Sequence, residues 1–184
     1  MEIRQTALDG VMILEARSFP DLRGWFRMTY GRDALSAAGI DFPVVQDNLS
    51  LSKRRFTTRG LHFQRPPVAQ PKIVHVLAGA VLDIALDIRP GSASFGRHVA
   101  VRLDAETGRQ LLIPGGFAHG FCTLEDNTLV QYRCAAPYAP EHEGGILWHD
   151  PDLGIAWPVG PDAAVVSDRD CNLPRLCDLD LPDR

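Results

Sequence analysis

The sequence predicts an all-β protein, a sandwich or a barrel-like jelly roll, and three observations carry that prediction. Apolar residues recur with a period of two in many short runs. Glycine and proline, 16 and 14 of them, are spread between those runs as turn punctuation. Helical periodicity is thin throughout. Many short strands at near-regular spacing are the pattern of a sandwich or jelly roll, and such folds often keep a polar-lined cavity between their sheets.

The elements follow in chain order. RDALSAAG, residues 32–39, reads as a helix of about two turns stopped by Gly39. RGLHFQ (59–64) sets His62 between two apolar neighbours, as in a packed strand. KIVHVLAG, beginning at Lys72, is an apolar run stopped by glycine. AVLDIALDIRP is the clearest strand: Leu82, Ile84, Leu86 and Ile88 share one face, Asp83, Ala85, Asp87 and Arg89 the other, and Pro90 ends it. HVAVRL repeats the pattern with Val99, Val101 and Leu103 on one side. QLLIPGG is a short apolar run into a turn. NTLVQYRC puts Thr128, Val130, Tyr132 and Cys134 together, opposite Leu129, Gln131 and Arg133. No repeat, linker or low-complexity segment interrupts the chain, so residues 1–184 read as one domain.

Composition excludes several function classes. Hydrophobic residues are 45% and charged residues 23%, the balance of a soluble globular protein. A net charge of −4 gives no nucleic-acid surface, and the one basic run, Lys53-Arg54-Arg55, reads as a solvated loop. No apolar run approaches the ~20 residues a membrane helix needs, and the charged N-terminus does not read as a signal peptide. Cys122, Cys134, Cys171 and Cys177 lack metal or framework spacing, so reduced thiols in a cytoplasmic protein are expected.

The residues able to carry chemistry are His62, Lys72, Asp83, His119 and Tyr132. Each has a structural alternative: a core histidine, an exposed strand face for Asp83, a turn-bonding His119, a half-buried Tyr132 with its hydroxyl satisfied. Pro114, Gly116 and His119 match the second half of the metal-binding cupin pattern. The first half is broken, because Gln64 stands where a second histidine would follow His62, so no metal is expected.

The segments FPDLRGWF (19–26), VVQDNLSLS (44–52), RGLHFQ (59–64), QPKIVHVLAGAVLDIALDIR (70–89), IPGGFAHGF (113–121), QYRCAAPYAPEHEGGILWHDPDLGIAWP (131–158) and SDRD (167–170) occur in one order. In that order they resemble the dTDP-4-dehydrorhamnose 3,5-epimerase family. The resemblance implies a cupin-type jelly roll (a double-stranded β-helix) with short peripheral helices, a homodimer, and no metal or other cofactor. It implies a nucleotide-linked 4-keto-6-deoxyhexose as substrate, dTDP-linked, inverted at C3 and C5 in deoxysugar biosynthesis. Hydrogens on those carbons are weakly acidic because they flank the ketone. Inversion then needs a base, an enolate stabiliser and a proton donor on the other face. His62 matches the base, and a neutral imidazole with a pKa near ~6.5 suits that task. Asp170 matches its partner, with Asp168 an unexcluded rival. Lys72 matches the stabiliser of the O4 charge, and Tyr132 the donor. Asp83 and His119 match positions that support this set or touch substrate. Arg23 and Arg59 match diphosphate contacts, Phe26 and Tyr138 the platform for the base, and Gln46 and Asn48 polar contacts to nucleotide and sugar. One departure stands out: where much of the family has Glu after the aromatic residue and one variable position, this chain has Met28, which puts the preference for the dTDP base in question. Three further readings share the scaffold: a 3-epimerase that stops after one inversion, a ketoisomerase that moves the carbonyl between C4 and C3, and a non-catalytic sugar-nucleotide-binding module.

Overall fold

The computed structural model describes residues 1–181. Two antiparallel sheets dominate it. The larger is built from β1 (Glu2–Gln5), β2 (Met12–Glu15), β10 (Arg109–Ile113), β7 (Lys72–Ala78), β12 (Thr128–Cys134) and β5 (Gln46–Ser52), in that spatial order. The second runs β13 (Glu143–Gly145), β6 (Thr58–Gln64), β11 (Phe117–Thr123), β8 (Ala80–Asp87) and β9 (His98–Asp104). A separate hairpin joins β3 (Ser18–Asp21) to β4 (Gly24–Arg27). Two short helices, α1 (Arg32–Ser36) and α2 (Asp168–Cys171), lie outside the sheets. This is the cupin-like jelly roll expected from the resemblance.

The period-two runs fall where alternation puts them. Val74, Val76, Leu111, Ile113 and Val130 of the large sheet meet Val81, Ala85, Leu103, Phe117 and Phe121 of the second. These inward residues exclude water between the layers, and their burial supplies most of the hydrophobic driving force. Alternate residues of β8 and β11 are not left to solvent. Ile84, Leu86 and Ala118 are covered by Ile146, Leu153 and the half-buried Ile155, Trp157 and Leu176 from the C-terminal segments. Asp83 is therefore not on an exposed face: it is fully buried on the inward side of β8. The outer face of the large sheet is covered in part by Leu35 and Phe42 over Leu14, Ile73 and Leu112.

The helix at 32–39 is shorter than its pattern suggested, five residues, but its stop is where expected. Gly39 has φ +77. Its amide donates to Ser36 O at 2.9 Å and the Ile40 amide to Leu35 O at 2.9 Å, the paired bonds of a Schellman end. Leu35 and Ile40 then pack in one cluster, which seals that end. The run Lys53-Arg54-Arg55 is an exposed loop. Among the described residues no helix is long and apolar enough to cross a membrane.

Candidate active site

A chamber of about 480 Å³ opens between the two sheets. Register decides which side chains enter it. In the large sheet Lys72, Cys134 and Gln46 form one cross-strand row, and Val74, Tyr132 and Asn48 the next. Side chains alternate, so Lys72, Tyr132, Gln46 and Asn48 all point inward. In the second sheet His62 pairs with His119, and Arg59 with Phe121. Residues 59 and 62 differ by an odd number and would face opposite sides of a regular strand. The ladder shifts register between the two pairs, and this irregularity turns both into the chamber. Gly60 makes the shift possible: its φ is +109, and a Cβ there would lie 2.6 Å from both Gly120 Cα and His119 O.

His62 Nε2 lies 2.8 Å from Asp170 Oδ1, and the Gly60 amide donates to Asp170 Oδ2 at 3.0 Å. Asp170 is buried on α2, whose first turn is capped by Ser167. Burial pushes its pKa up, but the bonds from His62 and the Gly60 amide outweigh that and hold the carboxyl below its ordinary value. An ionised carboxylate only accepts hydrogen bonds, so the neutral His62 ring keeps its proton on Nε2 and leaves Nδ1 as the basic nitrogen. Asp168, the rival partner, is exposed. His119 repeats the arrangement one strand away: its Nε2 lies 2.8 Å from Asp83 Oδ1, with both residues buried.

Across the chamber, burial pushes the Tyr132 phenol above its ordinary pKa, and the nearby Cys134 adds to the effect. The phenol therefore keeps its proton at neutral pH. Burial pulls the Lys72 ammonium down from its ordinary value, and the nearby Cys134, Glu143 and Asp83 side chains oppose this. The imidazole and the phenol come from opposite sheets, so a planar group held between them would meet one on each face.

Most of the expected residues converge. Gln46, Asn48, Arg59, His62, Lys72, His119, Tyr132, Tyr138 and Asp170 line the chamber, and Asp83 lies behind His119. Arg23 and Phe26 do not. Both sit on the β3–β4 hairpin, where Arg23 pairs with Asp21 and its side chain is 90% exposed; Phe26 is 70% exposed. Two charged lining residues escaped the sequence reading, Glu143 and Arg169. Glu143 Oε2 accepts from the Tyr138 hydroxyl at 2.8 Å and from Arg169 at 2.7 Å, closing a strap at the chamber edge. Arg169 stands between Asp168 and Asp170, and Glu143 follows Tyr138 by five residues, so position beside named residues was the one signal that could have found them.

The profile of a known family, described as dTDP-4-dehydrorhamnose 3,5-epimerase, matches residues 5–178. The chain belongs to this epimerase family. It is 46% identical over 160 residues to the dTDP-4-dehydrorhamnose 3,5-epimerase of Escherichia coli (strain K12), covering 86% of this chain and 85% of the relative. Among solved structures, the epimerase of Legionella pneumophila Philadelphia 1 in complex with dTDP-4-keto-L-rhamnose superposes with a TM-score of 0.93. That pair shares 40% identity over 100% of this chain and 98% of the other. A 3'-monoepimerase from Streptomyces bikiniensis in complex with dTDP-quinovose is also similar, with a TM-score of 0.87, 36% identity, and coverage of 94% and 86%. The architecture described above is thus the architecture of an epimerase family, in which one scaffold serves enzymes that differ in the number of centres they invert.

Proposed function

We propose that this epimerase inverts C3 and C5 of a dTDP-linked 4-keto-6-deoxyhexose by proton abstraction next to the ketone and reprotonation from the other side. The observation that carries the reading is the opposition of His62, held by Asp170, to Tyr132 across one chamber that also contains Lys72. His62 Nδ1 takes the proton from carbon, and its imidazolium is stabilised by the Asp170 carboxylate. The electron pair moves onto O4, where the Lys72 ammonium meets the developing charge in a water-poor site. Tyr132 gives its proton to the opposite face of the same carbon. Exchange with solvent then returns the proton to Tyr132 and removes it from His62, so each inversion is proton-neutral.

The nucleotide handle extends toward Arg59, Gln46, Asn48 and Tyr138 at the chamber edge. Arg23 and Phe26 reach a nucleotide only if another copy of the chain brings its hairpin there. This supports a homodimer, as do the exposed Leu49 and Leu51 on β5, an edge strand of the large sheet, and the exposed Leu22, Trp25 and Phe26 of the hairpin. Such an enzyme works in the cytoplasm, where nucleotide sugars are made.

Incubation with dTDP-4-keto-6-deoxyglucose in heavy water tests the reading. Deuterium at both C3 and C5 is the expected result, and exchange at neither carbon with nucleotide binding intact rejects it. The similarity to a 3'-monoepimerase gives the second reading its weight. Deuterium at C3 alone would select it, and a displaced ketone would select isomerisation.

A further inference from the structure

The β3–β4 hairpin stands apart from both sheets, since neither of its strands joins their ladders. Its two faces differ. Cross-strand partners share a face, so Ser18 and Arg27 lie with Pro20 and Trp25 on one side, and Phe19 with Phe26 on the other. The side that carries Phe19 and Phe26 is open, both rings being exposed. Among the described residues a single hydrogen bond joins residues 18–27 to the rest of the protein, from Arg27 Nη2 to Glu106 O at 3.0 Å.

Three further contacts hold Arg27 in place for that bond. Its Nε donates to Ser18 Oγ across the hairpin at 2.7 Å. Its guanidinium lies over the Trp25 ring, 4.2 Å from the centroid. It also rests on Gly108, a buried residue of the turn between β9 and β10. Gly108 has φ +63, and a Cβ there would overlap the guanidinium and lie 2.6 Å from Arg27 Cζ. Glycine is therefore needed twice, for the left-handed backbone and for the space that Arg27 fills. Two residues on, Gln110 is fully buried and donates from Nε2 to Thr29 O at 2.8 Å, just past the end of β4. A ribbon pinned only at Thr29 could swing about that point, and the contacts of Arg27 with Glu106 and Gly108 remove this freedom.

We propose that Arg27, seated on Gly108, is the positioning residue that aims the hairpin, so that Arg23 and Phe26 meet the nucleotide held in the chamber of a neighbouring copy. The proposal deepens the functional reading above and rests on it for the hairpin's reach into a second chamber. Arg27 is on the opposite face from Phe26, and its guanidinium is engaged within its own protomer. It therefore acts through the hairpin and not by touching the nucleotide. A badly aimed handle weakens ground state and transition state alike, so the loss falls on KM and not on kcat.

Kinetics on dTDP-4-keto-6-deoxyglucose, with calorimetry of dTDP binding, test the seat. Arg27→Ala is expected to raise KM and the dTDP Kd about tenfold, the loss of one well-aimed contact, with kcat held within about twofold. Unchanged affinity, or a loss confined to kcat, overturns the proposal. Gly108→Asn keeps a residue that tolerates the left-handed backbone but fills the seat, and should raise KM in the same way. Added to Arg27→Ala it should do nothing more, because no guanidinium is left to displace; an additive rise overturns the seat. Arg23→Ala/Phe26→Ala removes what the hairpin presents, so adding Arg27→Ala should raise Kd no further. A second tenfold rise there means that Arg27 touches the nucleotide directly, and overturns the proposal. Arg27→Ala should sediment as the wild type does at assay concentration, and dissociation would give Arg27 to the interface instead and overturn the aiming role. Unchanged dTDP affinity in Arg23→Ala/Phe26→Ala would remove the hairpin from the nucleotide site and reject that reading together with this proposal. Loss of affinity there with none in Arg27→Ala rejects the seat alone.

Discussion

Replacing Asp170 by Asn is the sharpest perturbation of the proposed chemistry, because the side chain keeps its shape and loses its charge. Asp170 accepts from two donors, His62 Nε2 at 2.8 Å and the Gly60 amide at 3.0 Å. An amide can accept at only one oxygen, so one of the two positions must take its NH₂ group. If the oxygen stays on Gly60, the NH₂ faces His62 and forces the ring proton from Nε2 to Nδ1, which removes the lone pair needed for proton abstraction. If the oxygen stays on His62, the Gly60 amide is left facing a donor, a loss of about 1–3 kcal/mol in stability. Charge adds to this. An imidazolium about 4 Å from a carboxylate at an effective dielectric of about 20 is stabilised by about 4 kcal/mol, and partial exposure of His62 reduces that to about 2–4 kcal/mol. Because the imidazolium exists only after proton transfer begins, this is a barrier effect, and it predicts a loss of about 30-fold to about 10³-fold in turnover.

The assay is the initial rate of deuterium incorporation from heavy water into the keto sugar, with dTDP affinity measured by calorimetry. Affinity should hold, since Asp170 lies at the proposed sugar end. Asp168→Asn is the control. Asp168 is exposed, and its backbone oxygen, not its carboxylate, accepts from Asn172, so turnover should stay within about twofold. Wild-type turnover in Asp170→Asn, with loss in Asp168→Asn, would refute the pairing. The sign with pH is also fixed. The folded Asp170 carboxyl lies below its ordinary value, so its contribution to stability is present above the unfolded value of about 3.9 and is lost as pH falls through the folded one.

Two further predictions concern the scaffold and the assembly. Asp87, fully buried at the end of β8, accepts from Arg89, Ser92 and Ser94; Asp87→Asn should cost about 2–4 kcal/mol in urea unfolding while leaving turnover per folded molecule unchanged. Burial opposes ionisation there, but these bonds hold its pKa far below the ordinary value, so the gap between wild type and variant should be full at neutral pH and shrink below about pH 3.9. Leu49→Arg, at an exposed position of edge strand β5, should convert dimer to monomer in sedimentation analysis; an unchanged sedimenting mass would remove β5 from the proposed interface.

The alternation of AVLDIALDIRP, HVAVRL and NTLVQYRC was enough to assign strands and to put Tyr132 beside Val130 on one face, which the structure turns inward. Alternation could not say whether Asp83 meets solvent, because that depends on a second layer. In the structure, segments 60 and more residues downstream cover the other face of β8, so both faces are buried and polarity ceases to mark the outside. β11, FAHGFCT, is buried at every residue and so carries no readable period. The entry of both Arg59 and His62 into one chamber contradicts simple alternation, and depends on a register shift that only Gly60 hinted at. The Asp168 and Asp170 alternatives were separated by the helical turn of α2, which buries one and exposes the other.

The departure at Met28 takes on a definite meaning once the hairpin is located. Arg23 and Phe26 lie on the β3–β4 hairpin, and the half-exposed Met28 directly follows it, outside the chamber that holds His62, Lys72 and Tyr132. In the proposed dimer, recognition of the base and chemistry at the sugar fall on separate surfaces, one on each copy. A methionine has only a weak sulfur acceptor where a carboxylate would accept strongly from a base. The loss at Met28 therefore bears on which nucleotide is held, through KM. It leaves untouched the opposed imidazole and phenol that set the barrier, because no bond of that set passes through the hairpin. Exchange of the nucleotide should accordingly change binding more than kcat, the separation expected when a handle contributes equally to ground state and transition state.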